Sequence, residues 1–140
     1  MTKSEKTKLI VAGSRKFNDD FLLECKIEWF LRCLETTIEG TIIISGTARG
    51  ADQLGEKYAE ENNMEVIRMP ADWNKLGKRA GYVRNQEMAK KADACIVFWD
   101  EESRGSKHMI DIAQKEKIPL CVVKYKTGKT ETTLHLNDED

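Results

Sequence analysis

The chain alternates short, almost continuous hydrophobic runs with longer segments in which apolar residues recur every three or four positions. Five runs rich in β-branched residues occupy residues 9–12, 41–44, 65–69, 94–99 and 120–123. Continuous rather than alternating hydrophobicity is typical of strands that are covered on both faces. The pattern therefore predicts five buried strands.

Four amphipathic segments lie between or beside the predicted strands. In the first, Asn18, Asp19 and Asp20 precede a set of apolar residues and are suited to cap the start of a helix. The apolar residues of that set recur at helical spacing and are Leu23, Ile27, Phe30, Leu34 and Ile38. The other segments predict helices over residues 51–62, 79–92 and 107–116.

The alternation of strands and helices predicts the fold class. Such a chain requires right-handed crossovers and a parallel sheet with helices on both faces. We therefore predict an α/β protein with a Rossmann-like, open, parallel, five-stranded sheet in the order 3-2-1-4-5. Residues 1–126 are expected to form a single domain. Residues 127–140 are polar, end in Asn-Asp-Glu-Asp, and are expected to form a flexible tail.

Composition limits the class of protein. With 140 residues, of which 40% are hydrophobic and 34% charged, the chain fits one globular domain. The net charge of −1 gives no overall attraction to nucleic acid or to an anionic membrane, so such a contact requires a local basic patch. No segment approaches the ~20 apolar residues of a membrane span, and the polar start lacks a signal-length hydrophobic stretch. We therefore expect a cytoplasmic protein with no membrane partner.

The cysteines indicate a reducing compartment rather than a metal centre. Cys25, Cys33, Cys95 and Cys121 lie in apolar surroundings and form no C-x-x-C pair. Buried thiols are therefore favoured over a zinc site or a disulfide framework. We expect no metal site and no cofactor.

Two loops that follow predicted strands combine glycine with arginine. The first is Gly13-Ser14-Arg15, and the second spans residues 45–52. Glycine lets the backbone approach a ligand, a helix start offers free N–H groups, and arginine supplies a planar fork of donors. Ligands of open parallel sheets bind outside the carboxyl ends of the strands, where the strand order reverses. These loops therefore predict a site for an anion, such as a nucleotide phosphate, at that edge.

Two further segments are expected to complete the site. Asn85, beside Arg84 on the third predicted helix, shares an inward-facing stripe with apolar residues and requires a partner, either a neighbouring turn or a ligand. The loop over residues 99–106 leads into the fourth helix, with Ser106 as its expected cap. The ligand-binding candidates are thus Gly13, Ser14, Arg15, Ser45, Gly46, Thr47, Ala48, Arg49, Gly50, Asp52, Arg84, Asn85, Trp99, Asp100, Gly105 and Ser106.

Other chemistry-bearing residues favour structural interpretations. For Trp73 and Trp99, core packing is favoured over stacking on a base, and His108 and His135 are interpreted as surface histidines. The basic residues between 75 and 91 are interpreted as a solvated face rather than a nucleic-acid track. The sequence contains no G-x-G-x-x-G, no G-x-x-x-x-G-K-[ST] and no H-E-x-x-H. An ordinary dinucleotide fold and a P-loop NTPase are therefore not supported.

Four stretches of this sequence together resemble the YspA/cpYpsA-related branch of the SLOG superfamily, over residues 9–125. They are residues 11–15, residues 45–52, Arg84-Asn85, and Gly105-Ser106 before a helix. The resemblance implies a Rossmann-like domain that binds nucleotides or nucleotide-derived ligands, in the cytoplasm of a bacterium or of a phage-infected host. By analogy with such relatives, we expect a homo-oligomer.

Two groups of relatives suggest more specific activities. The Lonely-Guy phosphoribohydrolases cleave the base from a nucleoside monophosphate with a P-G-G-x-G-T-x-x-E loop. The equivalent region here, residues 104–109, lacks the double glycine and the glutamate. DNA-processing protein A, a single-stranded DNA binder, has G-S-R and S-G-x-A-R-G-x-D stretches similar to the first two loops.

The leading hypothesis is therefore that the protein binds a nucleotide or nucleotide-derived ligand. It would act as a sensor or sequestering protein without catalysis. One alternative is an enzyme that hydrolyses a nucleotide N-glycosidic bond, for which Asp52 and Asp100 are the candidate carboxylates. The other is a single-stranded DNA binder that uses the basic segment over residues 75–91 together with Arg15 and Arg49.

Overall fold

A computed structural model describes residues 5–135 as a twisted sheet with helices on both faces. The strands are β1 (Thr7–Gly13), β2 (Thr41–Ser45), β3 (Val66–Arg68), β4 (Ala94–Trp99), β5 (Leu120–Lys124) and β6 (Lys129–Thr133). The helices are α1 (Asp20–Cys33), α2 (Ala51–Glu61), α3 (Trp73–Leu76), α4 (Ala80–Lys91) and α5 (Arg104–Lys115). The sheet order is β3-β2-β1-β4-β5-β6, and the first five strands are parallel. The predicted order 3-2-1-4-5 is confirmed.

The continuous hydrophobic runs form the middle of the sheet because both of its faces are covered. Ile10 of β1 pairs with Ile44 of β2 on one side and with Cys95 of β4 on the other. One hydrophobic cluster lies under α1 and α2 and includes Phe30. A second cluster lies under α4 and α5 and includes Met88. Strands β1 and β4 are therefore central, and their carboxyl ends form the edge at which the strand order reverses.

The polar segment after β5 contains a sixth strand. Strand β6 pairs antiparallel with β5, with Thr130 opposite Val123. The prediction of a flexible tail is therefore wrong for residues 129–133. Polar residues form this strand because it lies at the edge of the sheet, where the backbone ladder requires no hydrophobic side chains. The last part of the predicted tail, residues 136–140, lies outside the described residues.

The helix starts differ from the predicted ones in two places that matter for the site. The carboxylate of Asp19 caps α1 as expected, accepting a 2.9 Å hydrogen bond from the amide of Leu22. Helix α5, however, begins at Arg104 because Ser103, and not Ser106, caps it through a bond to the Ser106 amide. Helix α4 is preceded by the four-residue helix α3 and a 3-10 turn, which the sequence analysis did not predict.

The cysteines differ in burial. Cys95 and Cys121 are buried in the sheet, Cys33 is half-buried, and Cys25 on α1 is exposed. The prediction of a buried thiol is therefore wrong for Cys25. No helix in the described part of the chain is long and apolar enough to span a membrane.

Candidate functional site

A cavity of about 220 Å³ lies at the carboxyl end of β1, between the turn after β2 and the starts of α4 and α5. Its wall includes Arg15 beyond β1, Asp52 on α2, Arg84 on α4 and Gly105 on α5. A second cavity of about 230 Å³ adjoins it on the side of β2 and β3. The four loop segments singled out in the sequence thus converge on one sheet edge, as predicted for a parallel sheet.

The turn between β2 and α2 is held by its own side chains. The Ser45 hydroxyl donates to the carboxylate of Glu56 over 2.5 Å and accepts from the amide of Thr47 over 3.0 Å. The carboxylate of Asp52 accepts from the amide of Ala48 over 3.1 Å. These bonds hold Thr47 at φ 67°, a left-handed conformation that is unfavourable for a branched residue. The turn is therefore fixed before any ligand arrives.

Two glycines of the motifs serve close packing of one loop on another. Gly50 has φ 78°, and a Cβ atom there would overlap the carbonyl oxygens of Ser14 and Arg15. A Cβ atom at Gly13 would overlap the backbone of Phe98 on β4. The loop after β1 therefore packs closely on the loop after β2, and this contact places Arg15 beside the β2–α2 turn.

Arg84 joins α4 to that turn. Its Nη1 donates to the carbonyl oxygen of Gly46 over 2.5 Å, and its Nε donates to Oδ1 of Asn85 over 3.1 Å. The amide nitrogen of Asn85 in turn lies 3.2 Å from the carbonyl oxygen of Gly105 and 3.2 Å from Nδ1 of His108. The partner that buried Asn85 requires is therefore a neighbouring turn and a histidine, so the guanidinium of Arg84 is fixed in place.

The second cavity is the more basic of the two. Its wall includes the side chains of Arg15, Arg49 and Arg84, together with Thr47 and Trp73. Arg15 and Arg84 line the first cavity as well, so these two guanidinium groups lie where the cavities meet. Arg15 and Arg49, from the loops after β1 and β2, thus line the same cavity.

The carboxyl group of Asp52 is the buried acid of the first cavity. Burial raises the pKa of Asp52 to about 6, although the Ala48 amide and the guanidinium groups of Arg84 and Arg15 oppose that shift. Burial lowers the pKa of Arg84, while Asp52 opposes this. The cavity wall thus combines a guanidinium group with a carboxyl group that exchanges its proton near neutral pH.

The carboxylate of Asp100 supports the β4–α5 loop through hydrogen bonds to backbone amides. Its Oδ1 accepts 2.8 Å hydrogen bonds from the amides of Glu102 and Ser103, and its own amide donates to Oγ of buried Ser14. Burial favours the neutral carboxyl, but these amides and the Ser14 hydroxyl outweigh it, and the pKa of Asp100 is lowered. The carboxylate therefore shapes the β4–α5 loop and is not placed as a base toward either cavity.

Five of the predicted ligand-binding residues line neither of the two cavities. They are Ser14, Ser45, Gly50, Trp99 and Asp100. The indole N–H of Trp99 donates to the carbonyl oxygen of Ser103 over 3.1 Å, and its ring packs against the cluster under α4 and α5. The predicted core position of Trp99 thus fits its packing. These residues hold the loops that carry the cavity-lining residues.

Three aromatic residues at or beside the first cavity differ from the sequence-based predictions or were not among them. Trp73 is 52% exposed and lines both cavities, so its predicted core position is wrong. Tyr82, 42% exposed, lines the first cavity and packs against His108 with ring centroids 4.4 Å apart. His108 is half-buried rather than a surface residue, and burial lowers its pKa, although Asp111 opposes this. Trp73 and Tyr82 share a positional signal, because α3 and α4 follow the end of β3, whereas His108 lies on α5, which follows β4.

The sheet order and the arginine-rich edge define a Rossmann-like protein with a candidate anion site at the carboxyl ends of its strands. The chain belongs to the YspA, cpYpsA-related SLOG family, whose model matches residues 7–76. It is also 37% identical over 87 residues to Gene 61 protein of Mycobacterium phage D29, a match that covers 58% of this chain and 70% of that protein.

Two solved structures of DNA processing protein A share the fold at 19% sequence identity. The Streptococcus pneumoniae protein matches 84% of this chain with a TM-score of 0.63, and the Helicobacter pylori protein matches 84% with a TM-score of 0.56. This chain spans 50% and 65% of those two chains, respectively. The Helicobacter pylori structure concerns the single-stranded DNA binding mode of that protein. At this identity the likeness establishes the fold alone.

Proposed function

We propose that this chain binds a nucleotide or nucleotide-derived ligand, with a phosphate held between Arg15 and Arg84. The observation that carries the proposal is that these two guanidinium groups line both cavities at their junction. Arg84 is fixed by its bonds to Gly46 and Asn85, so little side-chain entropy is lost when it binds an anion. Charge-assisted hydrogen bonds from arginine to phosphate are among the stronger polar contacts in proteins.

The wall of the first cavity also supports the nucleoside part of the proposal. Trp73 and Tyr82 are exposed aromatic residues on the wall of this cavity, and aromatic side chains stack on nucleobases with little dependence on base identity. Lys78 adds a further cation to the same wall. A ligand with a flat apolar part and an anionic part matches this combination better than inorganic phosphate does.

Calorimetric titration with AMP tests the proposal in the wild type and in two matched variants. Arg15→Gln removes a guanidinium at the junction, whereas Lys16→Gln removes an exposed cation that lines neither cavity. Loss of a charge-assisted bond is worth ~1.5–3 kcal/mol, so Arg15→Gln is expected to weaken binding by about tenfold or more. Lys16→Gln is expected to bind like the wild type. Absence of AMP binding by the wild type, or equal losses in the two variants, contradicts the proposal.

A second candidate function is binding of single-stranded DNA. Exposed Trp73 is followed in the chain by Lys75, Lys78 and Arg79, and Lys78 lines the first cavity together with Trp73. Cations near an exposed aromatic residue suit a single strand. The fold shared with DNA processing protein A supports the same candidate. This function predicts that oligothymidylate binds more tightly than AMP and that its affinity falls steeply with salt. A flat response to salt excludes it.

A further inference from the structure

The second cavity contains more positive charge than one phosphate at the junction requires. Arg49 lines this cavity and not the first, and it adds a third guanidinium to Arg15 and Arg84. Among the described residues, the wall of the second cavity contains no carboxylate. The carboxyl group of Asp52 lies on the wall of the first cavity.

None of these three arginines forms a direct ion pair within the described part of the chain, although the carboxyl group of Asp52 in the first cavity partly offsets the charges of Arg84 and Arg15. The cations of the ion pairs found there are Lys57, Arg68, Lys107 and Lys124. Three guanidinium groups that share one concave surface repel one another, and an anion removes that repulsion. The arrangement is therefore electrostatically complementary to an anion that carries more than one charge.

The backbone of the second cavity is compatible with an anion as well. A carbonyl oxygen that faces an anion would repel it, but the carbonyl oxygen of Gly46 already accepts the hydrogen bond from Nη1 of Arg84. The side-chain bonds of Ser45 and Asp52 hold the neighbouring amides of Thr47 and Ala48 in a fixed turn. The arginines thus surround a hydrogen-bonded turn whose Gly46 carbonyl oxygen already has a donor.

We propose that the ligand carries two phosphoryl groups, the first at the junction and the second in the cavity lined by Arg49. This inference rests on the proposed nucleotide-binding function and names its ligand class. The second phosphoryl group belongs either to a diphosphate, as in a nucleoside diphosphate, or to a phosphodiester linkage one nucleotide away. Both sources present the same anionic oxygens to Arg49.

Titrations with AMP, ADP and the 5′-phosphorylated dinucleotide pApA, in magnesium-free buffer, test the inference. The wild type is compared with Arg49→Gln and with Arg32→Gln, which removes an exposed arginine of α1 that lines neither cavity. We expect the wild type to bind ADP or pApA at least tenfold more tightly than AMP. Arg49→Gln is expected to remove that advantage by weakening ADP or pApA at least tenfold more than AMP, while Arg32→Gln retains the advantage.

The outcomes distinguish failure of the second phosphoryl site from failure of the proposed nucleotide-binding function. If AMP binds and neither ADP nor pApA binds more tightly, or if Arg49→Gln weakens all three ligands equally, the second phosphoryl site is refuted and the nucleotide site stands. If none of the three binds, the proposed function itself fails. A tenfold preference for ADP over pApA assigns the second group to a diphosphate, and the reverse preference assigns it to a phosphodiester. Equal far-UV circular dichroism of the variants establishes that they are folded.

Discussion

Arg84 and Gly46 are 38 positions apart in the chain and are joined by a 2.5 Å hydrogen bond from Nη1 of the arginine to the glycine carbonyl oxygen. This bond connects α4, on one face of the sheet, to the turn that leads from β2 into α2 on the other face. The position of the guanidinium group at the junction of the cavities therefore depends on a tertiary contact and not on α4 alone.

Substitution of Gly46 by alanine is expected to displace Arg84. A Cβ atom at this position would lie 2.6 Å from Nη1 of Arg84 and 2.9 Å from Oδ2 of Asp52. We expect Gly46→Ala to lower the free energy of unfolding by about 1–3 kcal/mol, as overpacking and a lost hydrogen bond do elsewhere. The same variant should weaken AMP binding. Urea denaturation and calorimetric titration measure the two effects.

Gly105→Ala is the matched control for stability. A Cβ atom at Gly105 meets nothing within 4 Å, and the residue lies in the first turn of α5. Since alanine favours a helix more than glycine does, this variant should unfold at the same urea concentration as the wild type or at a higher one. If Gly46→Ala is as stable as Gly105→Ala, the contact between Arg84 and Gly46 does not constrain the site as described.

The stability of the protein is expected to depend on pH through Asp52. The pKa of Asp52 is about 6 in the folded chain, above its ordinary value of 3.8. The folded state therefore holds this proton more tightly than the unfolded state does, and the free energy of unfolding falls as pH rises from 4 to 6. The loss is on the order of 3 kcal/mol and persists above pH 6. Denaturation curves at four pH values measure it.

Asp52→Asn should remove this pH dependence because asparagine retains an acceptor for the Ala48 amide and has no proton to lose. The variant is therefore expected to gain stability relative to the wild type as pH rises from 4 to 6. A constant difference in unfolding free energy between the two proteins over that interval would show that Asp52 titrates at its ordinary pKa.

The central fold was predictable because its signals are hydrophobic. Runs such as the one that became β4 are continuous in apolar residues, and only a strand covered on both faces requires that pattern. Strand β6 consists of Lys129, Thr130, Glu131, Thr132 and Thr133, and its only structural requirement is a backbone ladder with β5. A strand of this kind has no hydrophobic signal, so threonine content was its one sequence indication.

The sequence predicted where the candidate site lies, but not which residues contact each other there. Topology brought Arg15, Arg49 and Arg84 to one edge, as glycine and arginine after strands indicated. Sequence alone did not distinguish a residue that lines the cavity from one that holds the loop, so Ser14 and Asp100 were grouped with Arg15. That distinction depends on hydrogen bonds between residues 86 positions apart, which no local pattern records.

The thiol groups should differ strongly in reactivity. Cys25 is exposed on α1, whereas burial raises the pKa of Cys95 and raises the pKa of Cys121 to about 11. Because the thiolate is the reactive form, a maleimide should label Cys25 first and the two buried thiols only after unfolding. Mass spectrometry follows the labelling. The fast phase should be absent from Cys25→Ser, and labelling of Cys95 in the native protein at a similar rate would contradict the packing of the sheet.

His108 is expected to remain neutral at physiological pH with its proton on Nε2. The amide nitrogen of Asn85 can only donate, so Nδ1 of His108 must accept the 3.2 Å hydrogen bond between them. Burial lowers the pKa of His108 below its ordinary value of 6.5, in spite of Asp111. A nitrogen-15 NMR titration, with the signal assigned through its loss in His108→Gln, measures both properties. A midpoint at or above 6.5 would contradict the contact with Asn85.

Amide chemical-shift mapping during titration with AMP tests the central claim, that a phosphate-bearing ligand binds where Arg15 and Arg84 meet. We predict that the largest shifts fall on residues 46–49 of the β2–α2 turn, on Arg84 and Gly105, and on the indole N–H of Trp73, and that they saturate together. Shifts that cluster instead on the exposed residues Phe21 and Trp29 of α1, which line neither cavity, or no saturable shifts at any amide, would contradict the claim.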